Sequence, residues 1–148
     1  MTIRDAICTE ALTWQSTPWV HRQCLKGPQG GVDCVRVLEG TAKALGLLAS
    51  DWQPPKYSPE WQWHHNEEEL LRILGELGCS PVPLEQRQAG DILAFQYGRV
   101  CSHVAILVRA TPEYVVHAQR DIGRVVHQRL AGDLLRRLRQ AYCFPGVA

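Results

Sequence analysis

Residues 27–48 read Gly27-Pro28-Gln29-Gly30-Gly31-Val32-Asp33-Cys34-Val35-Arg36-Val37-Leu38-Glu39-Gly40-Thr41-Ala42-Lys43-Ala44-Leu45-Gly46-Leu47-Leu48. The segment 27–31 is the densest turn signal in the chain. It runs into Val35, Val37, Leu38, Ala42, Leu45 and Leu48, whose spacing predicts a helix with one buried face. Asp33 stands where an N-cap side chain takes a hydrogen bond from an orphan amide. Cys34 therefore opens the helix, where the partial positive charge of the backbone favours a thiolate over a thiol. A thiol so placed is a candidate nucleophile once a histidine is found to take its proton. The bland alternative is a buried helix cysteine, the ordinary fate of a free thiol.

Upstream, residues 3–15 place Ile3, Ile7, Leu12 and Trp14 at helical spacing. Ser16-Thr17-Pro18 stops that helix, because the residue before a proline disfavours helical backbone. Downstream, residues 50–63 hold three prolines and three tryptophans and read as an ordered surface loop. Asn66 with Glu69 forms a capping box that opens a third helix through Leu77, ending near Gly78. After Pro83 the texture turns to strands. Asp91–Phe95 and Ser102–Val108 are short apolar runs. Tyr114–Ala118 and Arg124–Gln128 flank the turn Asp121-Ile122-Gly123 as paired strands. A short helix around Asp133–Leu138 and a strand over Ala141–Phe144 close the chain. Helices first and an antiparallel sheet later mean an α+β fold.

The bulk properties narrow the partners. The chain has 148 residues, enough for one domain with its own core, here taken as 1–148. A formal net charge of +1 gives no reason to expect nucleic acid or an anionic membrane surface. Five arginines between Arg124 and Arg139 read as a solvated face rather than a nucleic-acid patch. No signal peptide is visible in residues 1–15 and no run reaches the roughly 18 apolar residues of a membrane span. Synthesis in the cytoplasm without a leader is the expectation. The six cysteines, Cys8, Cys24, Cys34, Cys79, Cys101 and Cys143, are scattered singly, with no Cys-x-x-Cys pair. That pattern predicts reduced thiols rather than disulfides or a zinc site, and no cofactor.

Seven segments carry a resemblance. They are TPWVHRQ at 17–23, GVDC at 31–34, PPKYSPEW at 54–61, AGDILAF at 89–95, SHVAILV at 102–108, YVVHA at 114–118 and YCFPGV at 142–147. In this order they resemble the NlpC-type cell-wall peptidases, a branch of the papain-like cysteine peptidases. The likeness is greatest to the subgroup of tailed phages and prophages. The resemblance implies a papain-like α+β fold with the N-terminal helices packed on a C-terminal antiparallel sheet. It implies hydrolysis of peptide bonds in peptidoglycan stem peptides, next to D-glutamate and a diamino acid. Other phage tail proteins become expected partners, and a virion-associated setting would explain the missing leader.

Residue by residue, the resemblance makes Cys34 the nucleophile, His103 the general base and later acid, and His117 the residue that orients His103. Trp19 falls where relatives carry a tyrosine, and an indole lacks the phenol hydroxyl, so it reads as a wall of the site. His21 is a candidate for a hydrogen bond near the site. The Cys34 backbone N–H at the helix start is the expected oxyanion donor. Relatives usually follow the nucleophile with a small residue and then glycine; here Cys34-Val35-Arg36 departs from that. Arg36 either points to solvent, narrows the cleft or binds a substrate carboxylate. Asp33 is a cap and the Gly90-Asp91 step a turn; His64, His65 and His127 read as surface residues. Three rival readings remain: an inactive structural tail component on the same fold, a thiol amidase or acyltransferase, and a metal module built from Cys101, His103 and His117.

Overall fold

The computed structural model describes residues 1–56 and 69–148. Asn66, Trp61, Trp63, His64 and His65 lie outside the described residues, so the capping box and most of the tryptophan-rich loop do too.

Helix α1 (Ile3–Leu12) starts with a reciprocal cap: the Thr2 hydroxyl accepts from Asp5 N at 3.1 Å and the Asp5 carboxylate accepts from Thr2 N at 3.0 Å. It stops short of the predicted 3–15 because Thr13 turns its hydroxyl back onto the Glu10 carbonyl at 2.6 Å. Two short strands, β1 (Cys24–Leu25) and β2 (Gly31–Val32), pair antiparallel across the glycine turn. Neither was expected from the sequence. Helix α2 (Cys34–Ala44) follows at once, and α3 (Glu69–Leu77) completes the helical layer. Gly40 in the middle of α2 faces Trp14, just beyond the end of α1, where a β-carbon would collide with the indole ring. Its missing side chain lets α2 pack closely on that ring.

The rest is one antiparallel sheet of six strands in the order β3-β8-β4-β5-β6-β7. Its strands are β3 (Ser80–Val82), β4 (Ile92–Tyr97), β5 (Val100–Ala110), β6 (Glu113–Gln119), β7 (Arg124–Arg129) and β8 (Leu138–Cys143). Edge strand β3 escaped the sequence reading because it is only three residues long and contains Pro81. Both faces of the sheet are covered. On one side Ile92, Ala94, Val104, Ile106 and Val116 pack with Ile7 of α1, Val35 and Leu38 of α2 and Leu74 of α3. On the other, Leu93, Phe95, Ala105, Leu107 and Val115 pack under Leu130 and Leu134. Helix α4 (Gly132–Arg137) supplies Leu134 and leads directly into β8. The alternation of the strands assigns these two sets to opposite faces.

One buried ion pair ties the two layers. Asp91 is fully buried; its carboxylate takes Arg4 of α1 at 2.7 Å and Gln88 N at 2.9 Å. The Gly90-Asp91 step is thus a turn, as expected, and also the anchor of α1.

Candidate active site

Two local features of the sheet create the site. The β4–β5 ladder slips by one residue between the pairs Phe95–His103 and Gln96–Cys101, so β5 holds an extra residue, a bulge, beside His103. The ladder between β5 and β6 runs from Ala110–Glu113 to Ile106–Val116 and goes no further towards His103. Beyond that pair β6 continues along β7 alone, with His117 opposite Val126. The start of α2 meets β5 in this region. The amide of Val104, next to His103, is directed at the Cys34 sulfur.

Cys34 is the first residue of α2 and is 8% exposed. Asp33 caps the helix as expected: one carboxylate oxygen accepts from Arg36 N at 3.0 Å. The other accepts from Arg22 N at 2.7 Å and lies 3.7 Å from the His21 Nδ1. One side chain therefore holds both the helix start and the loop before β1. Arg22 has φ +62°, a left-handed backbone that this hydrogen bond helps to hold.

His103 and His117 come together as predicted. His103 Nε2 and His117 Nδ1 are 2.7 Å apart, and both residues are buried. His117 Nε2 lies 2.8 Å from Oε1 of Gln128 on β7. The His103 ring also meets Tyr97 edge-on, with centroids 5.9 Å apart, and Phe95 at 6.0 Å. Gln119 donates to the Tyr97 hydroxyl at 3.2 Å, and Arg137 of α4 lies 4.3 Å from the Tyr97 ring centroid. The row His103–His117–Gln128 thus crosses from β5 to β7, buried at the two histidines and half-buried at Gln128. Sequence reasoning did not single out Gln128. Its signal was the placement of Gln128 opposite Val115 in the β6–β7 register, diagonal to His117, which only the pairing reveals.

The electrostatics run against one expectation. Burial, with Asp33 adding to it, pushes the Cys34 thiol up to about 12, against the amides of Val104, Val35 and Cys34 itself. Burial, reinforced by His117, holds His103 well below the usual histidine range, and burial lowers His117 despite the Gln128 hydrogen bond. The resting site is a neutral thiol with neutral imidazoles. Helix-start charge was expected to favour a thiolate; desolvation of the sulfur outweighs it.

Trp19 and His21 stack with ring centroids 6.3 Å apart and planes at 21°. Trp19 bridges Val32 of β2, and its amide donates to the Gly123 carbonyl at 2.8 Å. The Arg120 guanidinium stands over its indole at 5.7 Å. This aromatic shelf joins the segment before Cys34 to the β6–β7 turn, only a few residues beyond His117. Arg36 does not belong to it. Two residues along a helix is about 200° of rotation from Cys34, and the Arg36 guanidinium pairs with buried Glu39 at 2.9 Å. Glu39 also holds Lys43 at 2.7 Å, and Lys43 reaches the Trp52 carbonyl at 2.8 Å. Arg36 thus joins an ion-pair network with Glu39 and Lys43, its side chain mostly buried. His127 is exposed, its ring tilted at 50° to that of Tyr114 with centroids 5.0 Å apart. No group of three or more histidine, cysteine or acidic side chains able to hold a metal occurs among the described residues.

Comparison with solved structures settles the architecture. A Staphylococcus aureus protein described as similar to a lipoprotein of the NLP/P60 family superposes with a TM-score of 0.64 over 97% of this chain. The chain has the NlpC/P60 fold. Sequence identity to that protein is 18%, and this chain spans 42% of its length. The NlpC/P60 domain of the peptidoglycan hydrolase SagA matches at TM-score 0.59 and 19% identity, covering 93% of this chain and 96% of that one. RipD of Mycobacterium tuberculosis, a non-catalytic NlpC/P60 domain protein adapted to peptidoglycan binding, matches at TM-score 0.60 and 12% identity over 97% of both chains. No family model and no curated protein matches the sequence. The α+β expectation, helices against an antiparallel sheet, holds in this fold. The narrower likeness to phage and prophage tail proteins finds no support in these neighbours.

Proposed function

We propose that the protein is a cysteine peptidase that hydrolyses peptide bonds in peptidoglycan stem peptides. The observation that carries this reading is the 2.7 Å contact of His103 with His117, beside a Cys34 sulfur that faces the Val104 amide. Cys34 Sγ attacks the amide carbonyl while its proton passes to Nδ1 of His103, the ring nitrogen not engaged by His117. The oxyanion is held by the Cys34 backbone N–H at the start of α2. His103 then returns the proton to the leaving amine, and water hydrolyses the thioester. Trp19 and His21 form one wall for the peptide.

The substrate class is supported by the fold neighbours, among them a peptidoglycan hydrolase. The bond between D-glutamate and the diamino acid, and a setting on a phage or prophage tail that carries the chain to the wall, rest on the sequence resemblance alone. The deciding experiment is digestion of purified peptidoglycan and soluble stem peptides by wild type and Cys34→Ala, with products read by mass spectrometry. New peptide termini with wild type only are expected. Identical products from both proteins would overturn the reading.

One observation favours a second reading. The thiol sits at about 12, and a non-catalytic binding domain is among the fold neighbours. A peptidoglycan-binding role without cleavage would appear as equal retention of wild type and Cys34→Ala on insoluble wall, with no new termini.

A further inference from the structure

We propose that Gln128 is a positioning residue that fixes the tautomers of both site histidines, so that His103 presents a bare Nδ1 to Cys34. The inference rests on the peptidase reading for its catalytic consequence, but its structural content stands on the hydrogen-bond row alone. Gln128 Oε1 is an acceptor only, so the His117 Nε2 it meets at 2.8 Å carries the proton. A neutral imidazole has one N–H, which leaves His117 Nδ1 as a lone pair. His103 Nε2, 2.7 Å away, must then donate to it. With its one proton on Nε2, His103 keeps a lone pair on Nδ1.

The opposite polarity would disable the site. If the amide nitrogen of residue 128 faced His117, each ring would turn its proton the other way. His103 would then offer an N–H, not a base, to the thiol. An amide three groups from the sulfur thus decides whether the imidazole can act. When the Cys34 S–H bond breaks, the proton forms an N–H bond at His103 Nδ1, and the electron pair stays on sulfur to attack the carbonyl. The new imidazolium is stabilised through its Nε2–H on His117. No other reactant is needed. The titratable groups around the row are Cys34 at the start of α2 and Tyr97 of β4, with Arg137 of α4 behind Tyr97.

Two variants and two readouts test this. Gln128→Leu removes the acceptor with little change of volume. Gln128→Glu is acceptor-only and enforces the same polarity with added negative charge. Nitrogen-15 spectra of the imidazoles should show both wild-type rings protonated at Nε2. Loss of that single pattern is expected in Gln128→Leu and its retention in Gln128→Glu. On stem peptides, kcat should fall about 10- to 100-fold in Gln128→Leu with KM within about twofold. Gln128→Glu should recover most of kcat, and the acid limb of its pH–rate profile should move up, because the carboxylate favours the charged ring. A purely structural role would leave that limb in place in both variants. An N–H on Nδ1 of wild-type His103, or an unchanged pattern in Gln128→Leu, would overturn the proposal. Rings protonated at Nε2 with no cleavage by wild type would support the tautomer assignment and refute the peptidase reading instead.

Discussion

Removing the Asp33 carboxylate should weaken the fold and sharpen the thiol at the same time. Asp33 is buried and makes two backbone contacts, to Arg36 N at 3.0 Å and Arg22 N at 2.7 Å. Loss of the helix cap costs about 1 kcal/mol. Loss of a charged acceptor at the Arg22 amide costs about 1.5–3 kcal/mol. Asp33→Ala should therefore lose about 2.5–4 kcal/mol, read by urea unfolding followed through tryptophan fluorescence. Asp33→Asn keeps the cap but turns its amide NH2 towards one of the two N–H groups, so about 1–3 kcal/mol is expected. Asp33 is also one cause of the raised Cys34 thiol, and both variants remove its charge. The midpoint of Cys34 alkylation against pH should then move down from about 12 in both variants, including Asp33→Asn, which keeps more of the fold. Iodoacetamide labelling read by mass spectrometry, in the absence of denaturant, measures it. A loss below about 0.5 kcal/mol in Asp33→Ala, or a midpoint that rises, would refute the reasoning.

The pH dependence of stability has two limbs. His103 and His117 are held below the ordinary 6.5, so the stability they contribute is present above pH 6.5 and is lost as pH falls below it, where the unfolded chain takes up the protons. Cys34 and Cys79, each pushed up to about 12 from 9.0, act the other way: their contribution is complete below pH 9 and fades as pH rises towards 12. Unfolding curves across pH should show the acid limb move in His117→Gln and the alkaline limb flatten in Cys34→Ala; unchanged limbs would contradict the assignment. Arg4→Met strands the buried Asp91 carboxylate and should cost about 3–5 kcal/mol, with most of it recovered in the Arg4→Met, Asp91→Asn pair. A single variant within about 1 kcal/mol of wild type would show that the pair does not anchor α1.

What the sequence made legible was what local rules govern. Alternation and turn residues announced β4 to β7 to within a few residues, and the glycine turn with Asp33 announced the start of α2. The pairing of His103 with His117 comes through the family resemblance, since the hairpin visible in the sequence joins 114–118 to 124–128 and leaves His103 out. What escaped depends on register and on distant neighbours. Gln128 looks like any polar residue on an exposed strand until the β6–β7 pairing sets it beside His117. Strands β1 and β2 are two residues each, below the length at which alternation means anything. The surroundings of Arg36 escaped for the same reason: its partner Glu39 is three residues on, but nothing local says that this glutamate is 2% exposed and held by two cations. The thiolate expectation failed because helix-terminus charge is a local property while burial is a property of the whole fold.

That failure bears on how the site would work. With the thiol pushed up to about 12 and His103 held well below its usual range, the neutral pair is favoured over thiolate and imidazolium, so a standing ion pair would be a minor species. Proton transfer in such a site accompanies attack on the carbonyl instead of preceding it, which makes the bare Nδ1 of His103 more important than any stored charge. A site that holds no preformed thiolate loses its chemistry when one hydrogen bond in the histidine row reverses, while the aromatic shelf of Trp19 and His21 and the fold beneath it stay intact.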